Sequence, residues 1–128
     1  MNSKRNPVGW FEIYVSDMPR AKNFYEAVFA VKLENLPAPD EDLEMWMFPG
    51  DPERPGANGT IAKMKGAGPG GNPGTIVYFS CEDCAIEESR VARAGGKVVK
   101  SKMAIGEYGF ISLVQDTEEN MIGLHSMK

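Results

Sequence analysis

The same order of strand-forming and helix-forming segments occurs twice in this chain, once on each side of a segment rich in glycine and proline. That segment, residues 66–74, has no apolar period, and its composition disfavours the interiors of helices and strands. It lies near the middle of the 128 residues. The sequence therefore predicts one domain over residues 1–128, built from module one (residues 8–65), this linker, and module two (residues 75–126).

Module one begins with a β-rich run at residues 10–15, followed by Ser16 and Asp17 as candidate helix caps and by Pro19 in a first helical turn. Apolar side chains then recur at three- and four-residue spacing, which predicts a helix with one stripe lying on a sheet. The stripe consists of Ala21, Phe24, Tyr25, Val28 and Phe29. Residues 31–36, 43–48 and 60–64 are the further predicted strands.

Module two follows the same order, with a strand at residues 75–81, a cap at Asp83 and a helix over residues 84–94 that stops at Gly95. Residues 97–103, 110–114 and 121–125 are its remaining predicted strands. The two modules together predict an α+β fold.

A shift of sixty-six positions places Asp83 on Asp17 and brings the first strands of the modules into register. One face of these strands is apolar in both modules and suits packing under the helices. It carries Phe11, Ile13 and Val15 in module one, and Val77, Phe79 and Cys81 in module two. The other face carries Trp10, Glu12 and Tyr14, and Ile76, Tyr78 and Ser80. This mixed face either turns to solvent or lines a ligand pocket, which requires an apolar surface with a few polar groups.

Charge and composition exclude several classes of partner. The net charge is −4, with 14 basic and 18 acidic residues, and no basic cluster suits a row of phosphates, so no nucleic-acid partner is expected. No window is apolar enough for a membrane span, and we expect a cytoplasmic protein. Cys81 and Cys84 are too few for a secreted disulfide framework.

Five segments occur in a fixed order along the chain. They are Val15-Ser-Asp-Met-Pro-Arg-Ala-Lys-Asn-Phe-Tyr-Glu-Ala-Val-Phe29, then Tyr-Phe-Ser-Cys-Glu-Asp83, Gly95-Gly-Lys-Val-Val99, Gly109-Phe110, and residues 116–120 before a final strand. This series resembles the vicinal oxygen chelate superfamily, whose members include glyoxalase I, bleomycin-resistance proteins and extradiol dioxygenases. The resemblance covers residues 8–125. Gly9-Trp-Phe-Glu-Ile13 and Asn120-Met-Ile-Gly-Leu-His125 are similar to a glyoxalase-related group of unassigned activity.

The resemblance implies two βαβββ modules that form a curled, mixed eight-stranded sheet around a cavity, with the helices on the outer face. It also implies a homodimer, and a divalent metal held by His, Gln and Glu side chains. The matching positions here are Trp10, Ile76, Gly123 and a residue near Ile61. None of these side chains donates a lone pair to a divalent cation, so we expect no metal cofactor at the usual site. A displaced site on Glu12 and His125 stays an alternative.

Three further features have two interpretations each. Cys81-Glu-Asp-Cys84 has the C-x-x-C spacing of redox sites, but the repeat pairs both cysteines with apolar positions. His125, the single histidine, is either structural or a ligand contact. Glu12 is a weak catalytic candidate as a base, and otherwise an ion-pair partner or a hydrogen-bond anchor.

The sequence therefore predicts a metal-independent protein that binds a small, partly aromatic organic molecule. Stacking is assigned to Trp10, Tyr14 and Tyr78, and hydrogen bonding to Glu12, Ser80 and His125. The first alternative is a metal-dependent lyase or isomerase of the glyoxalase type with an unusual ligand set. The second is a structural or partner-binding module.

Overall fold

A computed structural model describes residues 5–38, 40–65 and 74–128 of the chain. In these ranges the chain forms eight strands, two α-helices and one short 3-10 helix, and this α+β class confirms the prediction. In chain order the elements are β1 Val8–Tyr14, α1 Met18–Phe29, β2 Glu34–Leu36, β3 Leu43–Met47, β4 Asn58–Met64, β5 Thr75–Ser80, α2 Cys84–Arg90, β6 Lys97–Ala104, β7 Phe110–Gln115 and β8 Met121–Ser126. The predicted linker lies outside the described residues except for Gly74.

The described part of the chain forms two compact units. The first unit is Trp10–Thr75, and the second is Ile76–Lys128 together with the described residues up to Gly9. The leading residues belong to the second unit because the Ser80 N–H donates a 2.9 Å hydrogen bond to the Pro7 carbonyl. The prediction assigned Val8 and Gly9 to module one. A sequence pattern shows where a strand lies, but it does not show which other strand pairs with it.

In the first unit the strands are ordered β2-β3-β4-β1, with β1 parallel to β4 and β3 antiparallel to both of its neighbours. The Asp17 carboxylate caps α1 by accepting from the Arg20 N–H at 3.0 Å, and Pro19 lies in the first turn as predicted. The helix packs on one face of the sheet through a core centred on Met18, Leu33 and Ile61.

The predicted apolar stripe of α1 is only partly correct. Ala21 and Tyr25 pack on the core, but Phe24, Val28 and Phe29 are 58%, 55% and 60% exposed. Phe24 lies roughly a quarter turn from the centre of the sheet-facing side, and Val28 lies at the edge of that side, close to Ala21 around the helix axis. Phe29 stacks on Tyr25 at the last turn, with 6.4 Å between ring centroids. Apolar residues at three- and four-residue spacing form two adjacent stripes on this helix. Only the stripe with Ala21 and Tyr25 packs against the sheet.

In the second unit the strands are ordered β5-β8-β7-β6, with β5 parallel to β8 and the other pairs antiparallel. Asp83 caps α2 by accepting from the Ala85 N–H at 3.0 Å, so the sixty-six-residue repeat of the cap is confirmed. The core contains Cys81, Cys84, Val114 and Leu124.

Helix α2 ends earlier than predicted, at Arg90 rather than at residue 94. The chain then turns tightly, since the N–H groups of Ala94 and Gly96 both donate to the Val91 carbonyl, at 3.1 and 2.9 Å. Gly95 has a φ of 99°, a conformation that favours glycine. The residues between Arg90 and Gly95, which were predicted to be helical, therefore form this turn instead.

Neither helix in the described ranges has the length and apolar character needed to cross a bilayer.

Candidate ligand-binding site

One strand face of the first unit carries Trp10, Glu12 and Tyr14, as the alternation along β1 predicts. The opposite face packs under α1, where Ile13 and Val15 contact the core. Glu12 is buried, and Trp10 and Tyr14 are half-buried. Glu12 is therefore shielded from solvent, whereas Trp10 and Tyr14 each keep part of their surface exposed.

Strand pairing adds a threonine and two methionines to the same face. Thr60 on β4 is the register partner of Glu12, and Met47 on β3 is the register partner of Thr60. Met45 shares the face with Met47, whereas Trp46 packs toward α1. The sequence could not assign this phase of β3, because the run is short and apolar on both faces. The result is a carboxylate and a hydroxyl next to soft, polarizable side chains.

Glu12 and Tyr14 form a hydrogen-bonded pair. The Tyr14 hydroxyl donates to Glu12 Oε1 over 2.9 Å. Burial, the Glu12 charge and this hydrogen bond raise the pKa of Tyr14 well above its ordinary value. Tyr14 therefore remains a donor at any physiological pH and fixes the position of the carboxylate.

Thr60 is fully buried, and its Oγ1 has no hydrogen-bond partner among the described residues. Buried polar groups are nearly always paired, so an unpaired one requires an explanation. Sequence analysis missed Thr60 because its position beside Glu12 depends on the β1–β4 register. The sequence carried little signal for it, because Thr60 is the first residue of the predicted strand over residues 60–64.

In the second unit, Tyr78 on β5 is the register partner of Gly123 on β8. A Cβ atom added at Gly123 would lie well under 3.0 Å from ring atoms Cδ2, Cε2 and Cγ of Tyr78. The Tyr78 ring therefore lies directly on the glycine backbone, and the tyrosine is buried.

Ser80 and His125, both predicted site residues, are neighbours in the β5–β8 register. They line a pocket of about 340 Å³ at the ends of these strands, together with Arg5, Glu82 and Lys128 among others. This volume is within the range of small-molecule sites. Arg5 and Lys128 were missed by sequence analysis because isolated exposed cations carry no pattern.

The His125 ring is held in place by the loop before β7. Its Nε2 lies 2.6 Å from the Tyr108 carbonyl oxygen, which can only accept, so Nε2 carries the proton of this bond. His125 thus has a structural contact, and the other ring nitrogen, Nδ1, is the one left for a further interaction.

A second pocket, of about 420 Å³, lies on the α1 side of the first unit and contains none of the predicted site residues. Its walls include Asp17, Lys22, Glu44, Trp46 and Lys63. The Lys22 Nζ lies 3.4 Å from the centroid of the Trp46 ring, and the Trp46 indole donates to Glu44 at 2.9 Å. Its indole and charged groups thus already bond to one another.

The residues do not fit the divalent metal implied by the resemblance. Gly123 has no side chain, and Tyr78 lies where one would extend. Ile61 packs in the core under α1, so the polar residue at that level of β4 is Thr60. The described ranges contain no group of three or more His, Cys, Asp or Glu side chains arranged to hold a metal. We therefore derive no chemistry through a metal.

Cys81 and Cys84 are free thiols in the core of the second unit, which confirms the apolar interpretation of both positions. Burial raises the pKa of Cys81, and a raised pKa lowers the thiolate fraction that redox chemistry needs.

A sequence profile of the Glyoxalase/Bleomycin resistance protein/Dioxygenase superfamily matches residues 8–124. The chain belongs to this superfamily. A search of curated proteins finds no significant match.

Several solved structures share the fold. Methylmalonyl-CoA epimerase from Mycobacterium tuberculosis is 15% identical, with a TM-score of 0.67 over 95% of this chain and 88% of the other. A Streptomyces coelicolor methylmalonyl-CoA epimerase in complex with 2-nitronate-propionyl-CoA is 12% identical, with a TM-score of 0.66 over 94% and 96%. A hypothetical protein from Bacillus halodurans is 9% identical, with a TM-score of 0.66 over 94% of both chains. At these identities the similarity establishes the fold alone.

Proposed function

We propose that this superfamily member binds a small, partly aromatic organic molecule, and that the strand face around Glu12 contacts it. The observation that carries the proposal is the Thr60 hydroxyl, buried beside Glu12 with no hydrogen-bond partner among the described residues. An unpaired buried hydroxyl costs about 1–3 kcal/mol of stability. To bond to Thr60 and remove this cost, a ligand has to displace the side chains that cover Oγ1.

The chemistry of the face limits the polar group of the ligand. The Glu12 carboxylate accepts hydrogen bonds and donates none, and each oxygen can accept more than one, so the bond from Tyr14 does not exclude a ligand. The complementary ligand group is therefore a donor such as a hydroxyl or an amine, and a carboxylate is disfavoured by repulsion. Trp10 and Tyr14, both half-buried, offer aromatic surface for stacking.

Tyr78, Ser80 and His125 remain predicted ligand contacts in the second unit. Ser80 and His125 support this role because they line one pocket. Tyr78 supports it less directly, since its ring also packs on Gly123.

Solved structures with this fold hold small organic ligands, including 2-nitronate-propionyl-CoA and methylmalonyl-CoA. This supports small-molecule binding without identifying the ligand. A lyase or isomerase of the glyoxalase type stays the alternative. In that case Glu12 would act as the base. A metal ion bound by residues other than those named above would distinguish this enzyme from the metal-independent binding protein.

The proposal is tested by fluorescence titration in a Trp46→Phe background, in which Trp10 is the single tryptophan. The probes are phenol, benzyl alcohol, benzylamine and benzoate at equal concentrations. We expect saturable changes in Trp10 emission with the donor-bearing probes and a weaker response to benzoate. Glu12→Gln and Thr60→Val should each weaken binding several-fold, by the loss of about one hydrogen bond.

Glu41→Gln is the matched control, because Glu41 is an exposed carboxylate outside the strands. It should bind like the parent. The proposal is wrong if none of the probes changes Trp10 emission, or if Thr60→Val binds every probe as well as the parent does.

A further inference from the structure

The contact between Tyr78 and Gly123 limits which residues can occupy position 123. The two residues are register partners on parallel strands, and both are buried. The atoms nearest to an added Cβ are Cδ2, Cε2 and Cγ, which belong to a rigid ring and include its attachment point. These ring atoms cannot move independently of one another, unlike the end of a flexible side chain. A side chain at position 123 is therefore incompatible with the observed placement of the Tyr78 ring.

Gly123 is not required by its own backbone. Its φ is outside the left-handed region, so any residue could adopt this extended conformation. Glycine in a strand interior usually weakens the strand and often marks the close approach of another group. Here that group is the Tyr78 ring, and an aromatic side chain packed over a strand glycine recovers part of the lost stability.

Position 123 is also where the resemblance expects a metal-ligating glutamate. We propose that the Tyr78 ring, lying on Gly123, fills the space that the side chain of that ligand would need, so that position 123 cannot contribute to a divalent metal site on the β5–β8 face. The inference concerns the second unit alone and does not depend on a ligand at Glu12. The ring replaces a charged, hydrated site with apolar packing, which needs no counter-charge.

The steric part is tested by a double-mutant cycle on thermal unfolding of the full chain. Gly123→Ala should lower the Tm by about 5–10 °C, as expected for overpacking in a domain of this size. In the Tyr78→Ala background the same change should leave the Tm unchanged or raise it, since alanine stabilises extended backbone relative to glycine.

Gly50→Ala is the matched control. Its φ is likewise outside the left-handed region, and an added Cβ there meets the side-chain amide of Asn58, whose Oδ1 accepts from the Gly59 N–H at 2.8 Å. Displacing this amide should lower the Tm by the same amount in both backgrounds, because Tyr78 is not among the atoms that the new Cβ meets. Equal effects of Gly123→Ala with and without Tyr78 would overturn the proposal.

The metal part is tested on the wild-type chain and does not require any variant to fold. The protein is dialysed against Zn²⁺, Mn²⁺ or Ni²⁺, desalted, and analysed for bound metal. We expect clearly substoichiometric metal in each case. One metal ion per chain, retained after desalting, would overturn the proposal even if the steric cycle behaves as expected, and would leave the test at Trp10 unaffected.

Discussion

The two units repeat one architecture but fill their free strand faces differently. Each unit begins with a strand, and each caps its helix with an aspartate, Asp17 or Asp83, which are sixty-six residues apart. In both units the helix packs on apolar strand positions. On the other face the first unit has the Glu12–Tyr14 pair and a Thr60 hydroxyl that has no partner in the part of the chain that the structure describes. The second has an aromatic ring closed over a glycine. The face under the helix has to form the hydrophobic core, so its residues are apolar in both units. The opposite face has no such constraint and can differ between the units, so we expect the functional residues there.

The helices differ as well. Helix α1 has twelve residues and is held by apolar packing, with several large side chains left exposed. Helix α2 has seven residues and is held by specific polar contacts in addition to buried cysteines. The Cys84 N–H donates to Ser126 Oγ at 2.9 Å, and Lys102 Nζ lies 2.9 Å from the Asp83 carboxylate. A short helix buries little apolar surface, so more of its position depends on individual bonds.

The largest expected effect is in the core of the first unit. Ile61 is fully buried under α1, and Ile61→Ala should cost about 3–4 kcal/mol of unfolding free energy through lost burial and a residual cavity. Urea denaturation measures it. Val99→Ala, at a 47% exposed position, is the control and should change stability little. A cost below that of a surface substitution would contradict the packing described for this unit.

The second unit should respond to polarity in its core. Cys84→Ser places a hydroxyl at a fully buried apolar position and should cost about 1–3 kcal/mol. Cys84→Ala loses only the volume of the thiol and should cost less. If the serine variant is the more stable of the two, a polar partner lies near Cys84 and the apolar assignment is wrong.

Tyr14 predicts a difference in alkaline stability. Because its pKa is raised in the folded protein, the unfolded chain loses this proton first as the pH rises above 10.0, the ordinary value. The stability tied to the neutral phenol is therefore present below pH 10 and lost above it, at up to about 1.4 kcal/mol per pH unit. Urea midpoints of wild type and Tyr14→Phe should diverge below pH 10 and converge above it. Parallel curves would contradict a buried phenol paired with Glu12.

Thr60→Val should move stability in the opposite direction from the other substitutions. Valine has nearly the same shape and removes the unpaired hydroxyl, so the free energy of unfolding should rise by about 1 kcal/mol. The same variant should bind the aromatic probes less well. A loss of stability would mean that Oγ1 has a bonding partner in the free protein, and the main support for the ligand site would disappear.

The smallest effect is expected on the exposed side of α1. Phe24→Ser should change the free energy of unfolding by less than about 0.5 kcal/mol, because Phe24 is mostly exposed. Tyr25→Ser, one residue along and packed on the core, is the comparison and should cost several times more. Equal costs would restore the wider apolar stripe that the sequence predicted.

Much of the fold could be predicted from the sequence because its signals are local. The alternation in β1 and β5, the caps at Asp17 and Asp83, and the glycine stop after α2 each depend on a few adjacent residues. The early end of α2 and the true packing stripe of α1 were missed, since both depend on which neighbours a segment meets.

For the candidate site, the sequence by itself determined which strand face holds Glu12 and which holds Tyr78, because alternation is a property of any extended chain. Only the tertiary structure decided that Thr60 lies beside Glu12, that Tyr78 lies on Gly123, and that His125 is held by the Tyr108 carbonyl. Each of these contacts joins residues far apart in the chain, and strand order and register, which set them, are chosen by packing of the whole unit rather than by any local pattern.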